Sequence, residues 1–252
     1  MDLVIVPMAL DELGVRPGAL GDALGRGCQA VLLTPRAQSP TGAAWDSARA
    51  SVLGDLVAAH PGTLVIEDDH AGPVSGAGVY SLAGRAGPGR AGPGRATVRS
   101  VAKSLGPDLR LAVLAGDAVT VSRVEGRQSL GTGWVSYLLQ ETVAQLWEDP
   151  AVGRLLARAA AAYARWRRSL IDALAARGIA AGGRSGLAVW VPVADELAVT
   201  SALPGLGSGA RRAIPDRGRA GDPDRYGNAD RAGGSVAGSR PRRLPEPPPA
   251  PH

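Results

Sequence analysis

Lys103 is the only lysine in this chain of 252 residues, although lysine and arginine together number 28. An arginine stays protonated in proteins, whereas a lysine amine can lose its proton and condense with a carbonyl to form a Schiff base. One retained lysine in a chain that otherwise uses arginine therefore indicates amine chemistry. The count alone fits an accident of compositional bias equally well, so the neighbouring residues have to decide between these interpretations.

The elements that would position Lys103 alternate between short apolar runs and helical segments. The predicted strands are Leu3–Val6, Ala30–Leu33, Thr63–Ile66, Thr97–Val101, Leu111–Leu114 and Leu187–Val193, and the predicted helices are Pro17–Leu24, Asp46–Ala59, Gly133–Trp147 and a long helix between Asp149 and Gly178. The unbroken apolar run Ala30–Leu33 predicts a buried strand. The alternation predicts an α/β fold in which helices flank a mostly parallel sheet.

In such a sheet, ligands collect at the carboxyl ends of the strands. Ser39 and Thr41 follow one predicted strand. Asp68 and His70 follow the next strand, and Lys103 follows a third. We therefore expect these polar side chains to converge on one edge of the sheet and to form a binding site there.

Four motifs around the lysine carry a family resemblance. They are Thr34–Gly42, Glu67–His70, Ser100–Lys103 followed by Arg110, and Glu125–Trp134. Over residues 1–200 the chain resembles the fold-type I, pyridoxal-phosphate-dependent aminotransferases of class I/II, and most closely the aminotransferase-like domain of MocR-type (GntR family) bacterial regulators. The resemblance implies pyridoxal 5′-phosphate as cofactor, an amino-acid or 2-oxo-acid substrate, and a homodimer in intact relatives.

The resemblance also implies roles for individual residues. Lys103 would form the Schiff base with the cofactor aldehyde and would then act as the base that moves the substrate's α-proton. Ser100 and Arg110 would bind the cofactor phosphate as a hydroxyl donor and a bidentate cation. Asp68 would pair with the pyridinium nitrogen and keep it protonated.

Two positions depart from the family pattern. His70 stands where most relatives have tyrosine, and Ser39 stands where other aminotransferases have asparagine, both beside the cofactor's 3′-oxygen. Taken alone, each residue also has a structural interpretation: Asp68 as a turn or capping residue, His70 as a surface histidine, and Ser39 as part of a common loop. The order of the motifs around the one lysine favours the cofactor site.

Composition excludes other kinds of site. The single cysteine, Cys28, excludes an intrachain disulfide, and the three histidines lie too far apart in sequence for a zinc motif. Most of the net charge of +5 belongs to residues 207–252, so we expect no direct nucleic-acid binding. The N-terminus does not resemble a signal peptide and no apolar run reaches the length of a membrane span, so we expect a cytoplasmic chain without membrane contact.

The chain is predicted to have three parts. Residues 1–130 would be the second half of the cofactor-binding large domain, and residues 131–200 the connecting helices and the start of a small α/β domain. Residues 201–252 would be a disordered tail, with out-of-frame translation as a hypothesis for its origin. A repeated Gly- and Pro-rich unit that begins at Arg85 predicts a loop expansion without a function. On the long helix, Arg165, Arg167 and Arg168 predict a solvated face.

Three functional hypotheses follow from the resemblance. The chain could be a pyridoxal-phosphate-dependent aminotransferase, the cofactor-binding effector domain of a MocR-type regulator, or an inactive gene fragment. The family pattern includes an earlier half with a phosphate-binding loop and an arginine that binds the substrate carboxylate, and neither is recognisable in this sequence. We therefore expect weak or no turnover from this chain as it stands.

Overall fold

The computed structural model describes residues 3–82, 94–131 and 133–202. The chain divides into two units, Met1–Pro215 and Asp216–His252, and every described residue belongs to the first. The predicted repeat at residues 85–93 and the predicted tail beyond residue 202 lie outside the described residues.

Short strands alternate with helices in the first part of the chain, and longer helices follow. The strands are β1 (Leu10–Asp11), β2 (Gly14–Val15), β3 (Ala30–Leu33), β4 (Leu64–Asp68), β5 (Arg95–Ser100) and β6 (Ala112–Gly116). The helices are α1 (Pro17–Gly25), α2 (Ser47–Ala58), α3 (Ala118–Ser129), α4 (Tyr137–Glu148), α5 (Pro150–Ala175) and α6 (Glu196–Ala202), with a 3₁₀ helix at Gly72–Ser75. No helix among the described residues is both long enough and apolar enough to cross a membrane.

A four-stranded sheet in the order β3-β4-β5-β6 lies at the centre of the fold. β3, β4 and β5 run parallel, with Ala30 opposite Leu64 and Asp68 opposite Val98. β6 runs antiparallel to β5. The predicted α/β fold with a mostly parallel sheet is therefore confirmed, and the carboxyl ends of the three parallel strands share one edge.

The predicted strand Leu3–Val6 is wrong. These residues form no strand, and their apolar side chains are 42–91% exposed. The chain instead forms the antiparallel hairpin of β1 and β2 a few residues later. An apolar run becomes a strand only where a neighbour satisfies its backbone groups, and no described strand lies beside residues 3–6.

Local sequence signals set the ends of two helices as predicted. Asp46 caps α2 by accepting a backbone hydrogen bond of 2.8 Å in the first turn. Asp149 caps α5 by accepting from the Ala151 N–H at 2.7 Å, and Pro150 occupies the first helical position. Gly178, with a φ of 73°, lies just past the end of this 26-residue helix. The predicted long helix is confirmed.

The main core lies between the sheet and the helices α1 and α2. Leu20 on α1 and Leu53 on α2 are fully buried and belong to the same cluster as Val31 and Val65 of the sheet. Burial of such a side chain contributes about 1.5–3 kcal/mol. On the other face of β3, Leu32 is 67% exposed. The predicted burial of β3 therefore holds for the face that carries Val31 and Leu33 and is wrong for the other face.

The second half departs from the sequence prediction in three places. α4 begins at Tyr137 rather than at the predicted Gly133, because Ser136 caps the helix there. Leu187–Val193 is not a strand, since Trp190 forms only an isolated bridge. α3 was not predicted, and none of its residues is buried.

Candidate functional site

Asp68 and His70 lie together at the carboxyl end of β4. The Asp68 Oδ2 and the His70 Nδ1 are 3.5 Å apart, and the two side chains are 42% and 16% exposed. Alternation along an extended chain places them on the same face, with Asp69 between them on the other. The separation is at the outer limit of a hydrogen bond, so the two groups are neighbours that a ligand could still engage.

Lys103 lies in a tight turn directly after β5. The Leu105 N–H donates to the Val101 carbonyl at 2.8 Å, and the buried Val101 side chain anchors the turn. Lys103 itself is exposed. Among the described residues, no hydrogen bond or ion pair engages its amine. The turn therefore presents a primary amine that is free to meet a ligand.

Ser100 and Arg110 flank this turn. Ser100 is the last residue of β5 and pairs with Ala112 of β6, which places Arg110 near the same end of the two strands. The Ser100 Oγ accepts from the Ala102 N–H at 3.3 Å, and this leaves its hydroxyl proton available. The Arg110 side chain is exposed. A hydroxyl and a guanidinium at one strand end are the donors that a phosphate group needs.

Ser39 lies in the loop that follows β3 and is exposed. The loop is held by Gln38, whose side-chain oxygen accepts from the Thr41 hydroxyl at 2.5 Å and from the Thr41 N–H at 3.2 Å. The Gly42 N–H closes the turn on the Gln38 carbonyl at 2.6 Å. The Ser39 carbonyl accepts from the Gln38 Nε2 at 2.7 Å, so this loop network also sets the position of Ser39.

A second segment, residues 183–186, is bonded to this loop. The Ser185 Oγ accepts from the Ala37 N–H at 3.1 Å and donates to the Ser75 carbonyl at 3.0 Å. The backbone N–H groups of Arg184 and Ser185 both donate to the Gly42 carbonyl at 2.9 Å. Gly42 has a φ of 67°, and a Cβ there would lie 2.9 Å from a backbone oxygen, so this contact requires glycine.

Arg167 fixes residues 183–186 from the side of α5. Its guanidinium donates to the carbonyls of Gly183, Arg184 and Gly186 at 3.1, 3.0 and 2.7 Å. Burial, followed by the nearby Arg168, lowers the pKa of Arg167. The predicted solvated face is therefore wrong for Arg167, because these carbonyls replace its water, whereas Arg168 is exposed as expected.

A buried ion cluster at the same sheet edge was not predicted. Asp69 is 2% exposed, and Arg36 binds both its carboxylate oxygens, at 2.7 and 2.9 Å. Arg99 of β5 adds contacts of 2.9 and 2.7 Å to Oδ2. Burial raises the pKa of Asp69, but hydrogen bonds and charges from Arg36 and Arg99 outweigh it and hold that pKa below its usual value. All three residues lie in or beside the quoted motifs, but their pairing across 33 positions is not visible in the sequence.

The residues at this edge fit the chemistry of pyridoxal phosphate. The Lys103 amine suits its aldehyde, and the partly exposed Asp68 carboxylate suits its ring nitrogen. The Ser100 hydroxyl and the Arg110 guanidinium suit its phosphate. A cavity of about 340 Å³ lies between the β1–β2 hairpin and residues 180–192, and of the side chains expected at the strand ends only Thr41 lines it. The described residues also contain no cluster of metal-ligating side chains. The candidate site is therefore an open sheet edge.

One curated protein that resembles this chain is a bacterial transcriptional repressor. The chain is 36% identical over 187 residues to the vitamin B6 salvage pathway transcriptional repressor PtsJ of Salmonella typhimurium, and the match covers 74% of this chain and 42% of PtsJ. The expected likeness to MocR-type regulators is therefore confirmed. The chain spans less than half the length of that relative.

Solved aminotransferases have the same fold. LysN, the α-aminoadipate aminotransferase of Thermus thermophilus, superposes with a TM-score of 0.64 at 24% identity, over 76% of this chain and 50% of that chain. The kynurenine aminotransferase of Pyrococcus horikoshii gives a TM-score of 0.62 at 21% identity, over 79% and 51%. The model of the family described as aminotransferase class I and II matches residues 3–204. The chain therefore belongs to the class I and II aminotransferase family, whose cofactor is pyridoxal phosphate.

Proposed function

We propose that this chain is an aminotransferase-like protein that binds pyridoxal phosphate covalently through Lys103. The observation that carries the proposal is the environment of that residue. It is the only lysine in the chain, it is exposed after β5, and no described residue pairs with its amine. The register of β4 against β5 places it on the same sheet edge as Asp68.

The neighbouring residues would orient the cofactor. Asp68 would hold a proton on the ring nitrogen, because a carboxylate next to that nitrogen favours its charged form. Ser100 and Arg110 would bind the phosphate. His70 and Ser39 would donate to the ring oxygen, in place of the tyrosine and asparagine of relatives. These roles rest on the family motif and on the shared strand ends.

The proposed reaction is transfer of an amino group between an amino acid and a 2-oxo acid. Bound pyridoxal phosphate supplies an electron sink next to the substrate's reacting carbon. Lys103 would move the proton at that carbon, since an amine released from the cofactor is a base in reach of it. In this proposal residues 1–130 supply the cofactor edge, residues 131–200 begin a second domain, and a homodimer completes the site.

A second candidate is the effector domain of a MocR-type transcriptional regulator. The 36% identity to the repressor PtsJ favours it, because the solved aminotransferases are only 19–24% identical. In this case the same residues would bind pyridoxal phosphate as a signal rather than as a catalyst. Both candidates require the Lys103 adduct and differ only in turnover.

Absorbance titration with pyridoxal phosphate tests the part that both candidates share. We expect a visible band in the wild type and its loss in Lys103→Arg. The matched control is Lys103→Arg combined with Arg154→Lys, which restores one lysine at an exposed position on α5. A band that survives Lys103→Arg, or that returns in the control, would contradict the assignment.

Addition of amino acids to the loaded protein separates the two candidates. An aminotransferase consumes the band and releases a 2-oxo acid in a single turnover. An effector domain keeps the band while no 2-oxo acid appears. Liquid chromatography of the released acid is the measurement.

A further inference from the structure

The Arg36–Asp69–Arg99 cluster has a role that follows from its place in the sheet. Asp69 lies directly between Asp68 and His70 in the sequence, and the Asp69 N–H donates to the Val98 carbonyl at 2.9 Å. This bond extends the β4–β5 ladder by one residue beyond the end of β4. Asp69, which separates the proposed ligands Asp68 and His70, is therefore the last residue of this segment that hydrogen-bonds to β5.

The cluster connects three neighbouring strands. Arg36 follows β3, Asp69 follows β4, and Arg99 belongs to β5. Arg36 also donates to the Ala77 carbonyl at 2.9 Å, which joins the segment after the 3₁₀ helix to the same point. Two guanidinium groups on one buried carboxylate leave that side chain a single orientation.

Asp68 and His70 have no such support of their own. Among the described residues, the contact of 3.5 Å between them is the only polar contact that either side chain makes. Their direction therefore depends on the backbone at Asp69. Adjacent residues of an extended chain point to opposite faces, so Asp68 and His70 share the face opposite to Asp69. A rotation of the backbone at Asp69 would therefore turn both side chains away from the edge.

We propose that Arg36 and Arg99 are positioning residues that hold Asp69 and thereby set the orientation of the Asp68–His70 pair toward the cofactor. This inference rests on the proposed function for its consequence, a weaker hold on pyridoxal phosphate when the cluster is broken. The positioning itself can be measured without the cofactor.

Arg99→Gln is the first test, because it removes one guanidinium while Arg36 still pairs with Asp69. We expect the nuclear magnetic resonance signals of the His70 ring to shift while those of His60, which lies outside the cluster, stay in place. We also expect pyridoxal phosphate to bind about tenfold more weakly. Arg36→Lys, which keeps the charge but loses the bidentate geometry, is a second variant that should act in the same direction.

Two controls separate positioning from general damage. Arg49→Gln breaks an arginine–carboxylate pair with Asp11, which shares no residue with the cluster, and should leave both readouts unchanged. In an Asp68→Asn background, Arg99→Gln should weaken binding no further, because its effect runs through Asp68. Circular dichroism confirms that each variant is folded.

The outcomes distinguish the two proposals. Unchanged His70 signals in both variants, or binding losses that add in the double variant, would overturn the positioning role. If the wild type shows no Lys103-dependent band, the proposed function fails, and the His70 signals still decide whether the cluster orients the pair.

Discussion

The two halves of the described chain, a first half of residues 3–82 and a second half of residues 94–202, differ in how they bury their side chains. In the first half, α1, α2, β3 and β4 enclose a continuous core that includes Leu53 and Trp45. In the second half, the cluster of buried residues is limited to Val101, Leu111 and Val143, and α3 buries nothing. The proposed cofactor ligands are divided between the halves. Asp68 lies at the edge of the packed half, whereas Lys103 lies in the exposed half.

The packed core and the proposed reactive amine therefore lie in different halves of the chain. The buried carboxylate and the core belong to the half that fixes geometry, and the free amine belongs to the half that meets solvent. A ligand can reach an exposed amine that no described residue pairs with, whereas a buried carboxylate has to be paired to be stable. Large apolar side chains such as Trp134 (78% exposed) and Leu138 (81%) mark the second half as the less covered one.

The largest stability effect should come from Asp69→Asn. It leaves two guanidinium groups around a neutral amide, and breaking a buried pair from one side costs about 3–5 kcal/mol. Its match is Asp11→Asn, which breaks the exposed pair with Arg49 and should cost no more than about 1 kcal/mol. Urea unfolding measures both. Equal losses would show that the strand-end cluster is no more important than a surface pair.

Core truncation should show the same contrast between the halves. Leu53→Ala removes a side chain that is fully buried and should lower the free energy of unfolding by about 2–5 kcal/mol. Leu138→Ala on α4 should change it by less than about 0.5 kcal/mol. A large loss at Leu138 would mean that a surface, such as that of a second copy, covers α4 in solution.

The pH dependence of stability should also depend on Asp69. Its pKa is lower in the folded state, so its stabilisation is present above its unfolded pKa of about 3.9 and is lost as the pH falls through the folded value. The free energy of unfolding should therefore fall more steeply below about pH 5 in the wild type than in Asp69→Asn. Parallel curves would mean that Asp69 has the same pKa in both states.

Much of the first half could be predicted from the sequence because its signals are local. Asp46, Pro17 and the apolar run of β3 each act through nearest neighbours, and the structure has these elements at the predicted places. The exposed face of β3 could not be predicted, because an apolar run does not show which face a helix will cover. The same holds for the predicted strands: no described strand lies beside Leu3–Val6, and Leu187–Val193 pairs only through the Gly182–Trp190 bridge.

The candidate site was only partly accessible to sequence reasoning. Lys103, Asp68 and Arg110 were predicted from the motifs that resemble the family, and their roles stay predictions. Asp69 was overlooked because its role depends on Arg36, 33 positions away, and a contact of that kind appears only after folding. The burial of Arg167 was missed for the same reason, since its partners are carbonyls of a later loop.

The most direct test of the central claim is borohydride reduction of the chain after incubation with pyridoxal phosphate, followed by mass spectrometry of its peptides. The chain has one lysine, so the label can enter only at Lys103 or at the N-terminal amine. The proposed function predicts a phosphopyridoxyl group on the peptide that contains Lys103. A label confined to the N-terminal peptide, or no label at all, would contradict it.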